Sequence, residues 1–153
     1  NDSHATVIIV DNSITGMTGH QQNPTTGFNL KGDPCTKIDL ETLCRAVGIR
    51  RVRVVDPYDL AETEAAIKEE LAAPEASVII SRRPCALLKY VKHNRPVRVE
   101  SAKCRSCKMC MKIGCPAISM KDSKATIDNT LCTGCGVCQQ LCKFDAIQAA
   151  KED

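Results

Sequence analysis

The chain has 153 residues, with 21 Lys and Arg against 18 Asp and Glu, 11 Cys, no Trp and 3% aromatic residues. That is enough for one modest domain or two small ones. No apolar run approaches membrane-spanning length and no basic stripe is interleaved with aromatics, so neither a membrane nor nucleic acid is expected as a partner. The net charge of +3 is uneven: residues 1–100 balance 13 basic with 13 acidic side chains, whereas residues 101–153 carry 8 and 5.

The first predicted element is the run Val7-Ile8-Ile9-Val10, continuous enough in apolar character to suit a strand buried on both faces. It ends at Asp11-Asn12. The stretch from Ser13 to Pro34 is rich in Gly, Thr, Asn, Gln and Pro, and structureless loops of such length are usually functional or disordered. Asp39 then caps a helix with Leu40, Leu43, Cys44 and Val47 on one face and Gly48 as its stop. Arg51 to Val55 reads as a second strand, broken by Asp56-Pro57. Asp59 and Glu62 form a capping box that opens a helix with Leu60, Ile67 and Leu71 on its apolar face, and Ser77 to Ile80 is a third strand.

Strand, helix, strand, helix, strand predicts a parallel sheet with right-handed crossovers. Three strands make a thin sheet, so residues 1–88 read as the back half of a larger α/β domain. Residues 89–100 read as a basic linker, and residues 101–153 as a small separate domain. Cys44 belongs to the helix core, and His4 and His93 to the surface. Arg82-Arg83 is expected to be solvated or at a subunit interface.

The last third holds two runs, Cys104, Cys107, Cys110, Cys115-Pro116 and Cys132, Cys135, Cys138, Cys142. Each is Cys-x-x-Cys-x-x-Cys with a more distant fourth Cys. The spacing wraps three thiolates round one loop, as three corners of an iron–sulfur cube require, and in two-cluster ferredoxins the fourth Cys of each run ligates the other cluster. The assignment is therefore Cys104, Cys107, Cys110 and Cys142 to one [4Fe–4S] cluster, and Cys132, Cys135, Cys138 and Cys115 to the other. Ile118–Met120 and Ala125–Ile127 are expected to form a hairpin between the runs. Four disulfides would suit a secreted scaffold, but nothing resembles a signal peptide. Zinc suits paired Cys-x-x-Cys, but the third Cys of each run is surplus to a Cys₄ site. The local basic excess compensates anionic cubes or forms a docking face for an acidic electron carrier.

Ligands of open α/β sheets bind beyond the carboxyl ends of the strands, where Asp11 to Gln21 falls. An Asn side chain and carbonyl oxygens suit Mg²⁺ bridging to phosphate, and Gly16 and Gly19 let backbone approach a ligand. The segment Val10-Asp11-Asn12-Ser13-Ile14-Thr15-Gly16-Met17-Thr18-Gly19-His20-Gln21 resembles the thiamine-diphosphate loop of the indolepyruvate:ferredoxin oxidoreductase α-subunit family, which also ends in a two-cluster ferredoxin domain. The resemblance covers essentially the whole chain, as the carboxyl-terminal part of a longer subunit.

The resemblance implies that Asn12 gives a side-chain ligand, and Ile14 a backbone carbonyl, to the Mg²⁺ bridging the diphosphate, with Met17 and Thr18 against the cofactor. It implies decarboxylation of a 2-oxo acid such as indolepyruvate on thiamine diphosphate. Acyl transfer to coenzyme A follows, and electrons leave through two [4Fe–4S] clusters to ferredoxin. The expected partners are the remainder of the α subunit or a split partner chain, and a β subunit. Neither the Gly-Asp-Gly/Ser motif nor the activating glutamate is found, and Asn1-Asp2-Ser3 stands too close to the strand to supply the motif. This chain alone is therefore expected to lack a complete active site, and no catalytic residue is assigned. Cys142 also departs from the pattern in being followed by Lys143 rather than Pro. Exposed cubes are oxygen-sensitive, so a cytoplasmic protein of an anaerobic lifestyle is expected. The alternative is a stand-alone ferredoxin-like electron-transfer module with a non-catalytic α/β segment.

Overall fold

The computed structural model describes residues 3–150. Asn1, Asp2 and Lys151, which entered the sequence reading, lie outside them. The chain forms two compact units, Asn1–Val91 and Lys92–Asp153.

The first unit is built on a parallel sheet of β1 (Thr6–Asp11), β2 (Arg51–Val55) and β3 (Ser77–Arg82), in the order β1-β3-β2. Side chains alternate across a strand, so the central β3 feeds two cores. Val78 and Ile80 pack with Val52 and with Cys44 of α1 (Leu40–Ala46) on one face. Ile79 packs with Val55 and with Ala66 of α2 (Leu60–Leu71) on the other. Both helices start on a capping aspartate: Asp39 accepts the Thr42 N–H at 3.1 Å and Asp59 the Glu62 N–H at 2.9 Å. The reciprocal half of the expected capping box is not needed, because the Asp59 N–H is donated to the Asp56 carbonyl at 2.9 Å.

Three expectations are corrected. β1 is not buried on both faces: it is an edge strand paired with β3 alone, and Val7, Ile8 and Val10 are exposed. In α1, Leu43 and Val47 are exposed and Cys44 carries the contact. In α2, Leu71 is exposed, whereas Glu70 is 1% accessible. Burying that carboxylate is possible because β2 faces it with Arg51, which donates from Nε at 2.8 Å and from Nη2 at 3.1 Å in a two-pronged pair. Arg51 Nη2 and Arg53 Nη1 also reach Glu69, at 3.0 and 2.9 Å. The Thr6 hydroxyl donates to the Glu70 carbonyl and accepts from Ser77 Oγ, tying β1, β3 and α2 together at the amino ends of the strands.

The smaller unit has an internal repeat of strand, cysteine loop, short helix and strand. β4 (Val97–Val99) pairs antiparallel with β7 (Ile147–Ala149), and β5 (Ile118–Lys121) with β6 (Lys124–Ile127). A 3-10 helix, Met109–Ile113, lies in the first half and α3, Val137–Gln140, in the second. The expected hairpin is present. Asp122 and Ser123 close it with φ of 48° and 61°, the two left-handed residues of a type I′ turn, whose twist matches that of paired strands. The span 89–100 is not wholly linker: Val97 is buried in the core of this unit with Ile118, Ala125, Ala146 and Ile147. Gly134 has φ of 67°, and a Cβ there would stand 2.4 Å from the Arg95 carbonyl oxygen, so this loop lies directly against the Asn94–Arg95 backbone.

Replacing Arg51 by Met leaves the buried Glu70 carboxylate without its cation, and the α/β unit is expected to unfold at a clearly lower urea concentration. Urea unfolding followed by far-ultraviolet circular dichroism measures it.

Candidate functional site

The eight run cysteines fall into two groups. Cys104 and Cys110 are buried, Cys142 is half-buried and Cys107 is exposed. Together they line a pocket alongside Arg105, Lys108, Met109 and Phe144. Burial chiefly pushes the Cys110 thiol up, and the neighbouring charges of Cys107, Cys104 and Cys142 add to it. In the other half, the Cys138 thiol is pushed up to about 11, again by burial first and then by Cys135, Cys132 and Cys115. Each group thus joins three cysteines of one run to the last cysteine of the other.

The reason lies in the backbone. Each Cys-x-x-Cys-x-x-Cys loop curls over left-handed residues, Ser106 and Lys108 in the first and Gly134 and Gly136 in the second. The β4–β7 pairing then carries Cys142 back to the first loop. Cys104 differs from Cys110 and Cys138. The N–H of Ala125, then that of Ser106, hold its thiol below the usual range, with a smaller pull from the Lys124 ammonium. Cys142 Sγ accepts the Ala146 N–H at 3.3 Å. Among the described residues, no three His, Cys, Asp or Glu side chains converge on a point suited to one metal ion. A four-thiol set around a pocket, with backbone N–H groups aimed at its sulfurs, fits an iron–sulfur cluster.

In the first unit, the register of β1 on β3 places Asp11 beside Arg82. Asp11 is buried and receives Arg82 Nε at 2.9 Å and the Ser13 N–H at 3.1 Å. The carbonyls of Asp11 and Asn12 accept from Arg83 N and Cys85 N. Arg83 pairs with Asp56 and lies 4.0 Å over the Tyr58 ring. The two arginines therefore clasp the loop to the sheet, a role missed in reading them as solvated or as an interface. The alternation of Asp11 and Arg82 at the two strand ends was the available signal.

Beyond the clasp, Asn12 Oδ1 accepts the Ile14 N–H at 3.2 Å, and Ile14 buries its side chain. Thr15 and Gln21 exchange backbone hydrogen bonds at 3.0 Å each, closing a small turn in which His20 N donates to the Gly16 carbonyl. Residues 13–34 are thus built from closed turns, with a second bridge between Phe28 and Pro34, rather than structureless. Asn12, Ile14, Gly16 and Met17 line an open groove with Asn23, at the carboxyl end of the sheet. Met17 is fully exposed, and the Thr18 hydroxyl donates to Gln21 Oε1 at 2.9 Å. An amide oxygen keeps a second lone pair after accepting one hydrogen bond, so Asn12 can still serve a hard cation.

The description "thiamine pyrophosphate enzyme, C-terminal TPP binding domain" matches residues 1–81. The chain belongs to the thiamine pyrophosphate enzyme family. A 4Fe-4S binding domain matches residues 125–148, which contain Cys132, Cys135, Cys138 and Cys142. Over 161 aligned residues the chain is 41% identical to indolepyruvate oxidoreductase subunit IorA of Pyrococcus horikoshii, covering 99% of this chain and 25% of that protein. The subunit of the same name from Thermococcus kodakarensis is 41% identical over the same shares, and that of Archaeoglobus fulgidus is 35% identical over 100% of this chain and 25% of its own. The chain thus spans about a quarter of the length of these relatives. The two matched stretches are thus a thiamine pyrophosphate binding domain and a 4Fe-4S binding domain, and no described helix is long and apolar enough to cross a membrane.

Replacing Arg82 by Met leaves the buried Asp11 carboxylate without its cation and loosens the loop. Amide exchange at Ser13 and Ile14 is expected to rise about tenfold, the loss of roughly one charge-assisted hydrogen bond. Hydrogen-exchange mass spectrometry of this segment against the β3 amides measures it.

Proposed function

We propose that this chain is the electron-outlet portion of an oxidoreductase that decarboxylates arylpyruvates, such as indolepyruvate, to acyl-CoA and delivers electrons through two [4Fe–4S] clusters to ferredoxin. The observation that carries this reading is the gathering of eight thiols into two crossed sets in a chain that also carries a thiamine loop. One such set would serve a simple carrier; the loop ties the pair to carbon chemistry. The relatives named indolepyruvate oxidoreductase support the substrate class.

Cys104, Cys107, Cys110 and Cys142 would hold one cluster, and Cys115, Cys132, Cys135 and Cys138 the other. Asn12 through its side chain, and Ile14 through its carbonyl, would bind the Mg²⁺ that bridges the cofactor diphosphate. Met17, which lines the groove, and Thr18 next to it in the chain would lie against the cofactor. Thiamine diphosphate, when bound, supplies a stabilised carbanion for decarboxylation, and the protein supplies binding and orientation. The clasped loop does the orienting: the buried Ile14 side chain and the Asn12–Ile14 turn fix where those two oxygens point. The site is completed by the remainder of the α subunit or a split partner chain, and by a β subunit. An anaerobic cytoplasm is the setting such clusters suit.

Anaerobically reconstituted chain is expected to hold about eight iron and eight sulfide. Cys115→Ser is expected to disturb the cluster held by the second run, seen as loss of that component in electron paramagnetic resonance of reduced protein. Loss of the first-run component instead would reverse the assignment. Mixed with the completing chains, the wild type should support arylpyruvate-dependent dye reduction, and Asn12→Ala should lower it at least tenfold at limiting Mg²⁺, with partial recovery at high Mg²⁺. Unchanged activity for Asn12→Ala would remove that residue from the site.

A further inference from the structure

We propose that Lys124 raises the reduction potential of a cluster held by Cys104, Cys107, Cys110 and Cys142. This rests on the two-cluster reading above. Lys124 opens β6, and its half-buried side chain turns inward, where Nζ donates to the Cys104 carbonyl at 2.6 Å. That bond fixes an ammonium beside the first cysteine of the loop. The same strand sends the Ala125 N–H to the Cys104 sulfur, the loop adds the Ser106 N–H, and Ala146 N–H reaches Cys142 Sγ at 3.3 Å. Arg105 and Lys108 line the same pocket.

Gly134 and Gly136 shape the second loop at the places where the first loop carries Ser106 and Lys108.

Reduction adds one electron and, with no proton taken up, one negative charge. A fixed cation and N–H donors stabilise the added charge, while burial among thiolates opposes it. In a partly buried site the cation is weakly screened, so its effect falls mainly on the set it touches.

The test is a redox titration of the anaerobically reconstituted full chain, with dithionite as one-electron reductant, followed by electron paramagnetic resonance. Cys142→Ser and Cys115→Ser assign the two components. Lys124→Met and Lys124→Gln should lower the midpoint of the component altered by Cys142→Ser by the equivalent of about a tenfold change in the reduced-to-oxidised ratio, about 59 mV for one electron. The other midpoint should stay fixed. Lys124→Arg should retain the wild-type value, which a merely structural role for the Lys side chain would not require. Gln keeps a donor for the Cys104 carbonyl while removing the charge, and remains informative if Met does not fold. An unchanged midpoint in Gln or an equal fall in both components would overturn the proposal. Iron well below about eight atoms per wild-type chain would overturn the two-cluster reading itself, a result separate from any effect at Lys124.

Discussion

Three backbone pairs between Val97–Val99 and Ile147–Ala149 close the smaller unit on itself, and the placement of its sulfurs follows from that closure. Spacing alone brings three cysteines round each loop. The fourth member of each set comes from the other half of the repeat, and only a chain folded back along β4 can deliver Cys142 to Cys104. The unit has little else to hold it. Its core is made of Val, Ile and Ala with Cys104, Cys110 and Cys138, and domains with so few large apolar side chains need a staple. The thiols supply both the binding chemistry and part of the interior. Cluster binding would then be coupled to folding, since thiols from both halves of the repeat meet only in the folded unit.

The first unit solves a different problem, holding a polar loop at the end of a thin sheet. Apolar packing ends with β3; beyond it the work passes to charge. Arg82 on Asp11 and Arg83 on Asp56 pin the segment after β3 to the ends of β1 and β2. The carbonyls of Asp11 and Asn12 are taken by that same segment. At the opposite end, Arg51 and Glu70 do the equivalent between β2 and α2. The sheet is thus polar-locked at both ends and greasy only in the middle, an arrangement that fixes strand register without a thick core.

The helix starts were legible because a capping aspartate acts within three residues, and so was the hairpin, whose turn residues adjoin the strands they join. Three features were not. Glu70 reads as a solvent residue until Arg51 is known to face it, and no periodicity within α2 contains that fact. Val97–Val99 reads as linker because a three-residue strand has no pattern of its own and exists only by pairing with Ile147–Ala149. The stretch from Ser13 to Pro34 reads as loose because its order comes from many short polar bonds, such as Asn23 Oδ1 to the Thr25 N–H, that leave no apolar rhythm. The grouping of the thiols was legible because a Cys-x-x-Cys-x-x-Cys spacing is itself a local signal. The ammonium beside Cys104 was not, since it depends on which way the side chain of Lys124 turns.

The close seat of Gly134 on Asn94 and Arg95 bears on where this polypeptide can be cut. A fragment begun at Ser101 would keep every sulfur yet discard both β4 and the main-chain shelf under the second loop. The shortest autonomous piece therefore starts no later than Asn94, several residues upstream of the first thiol.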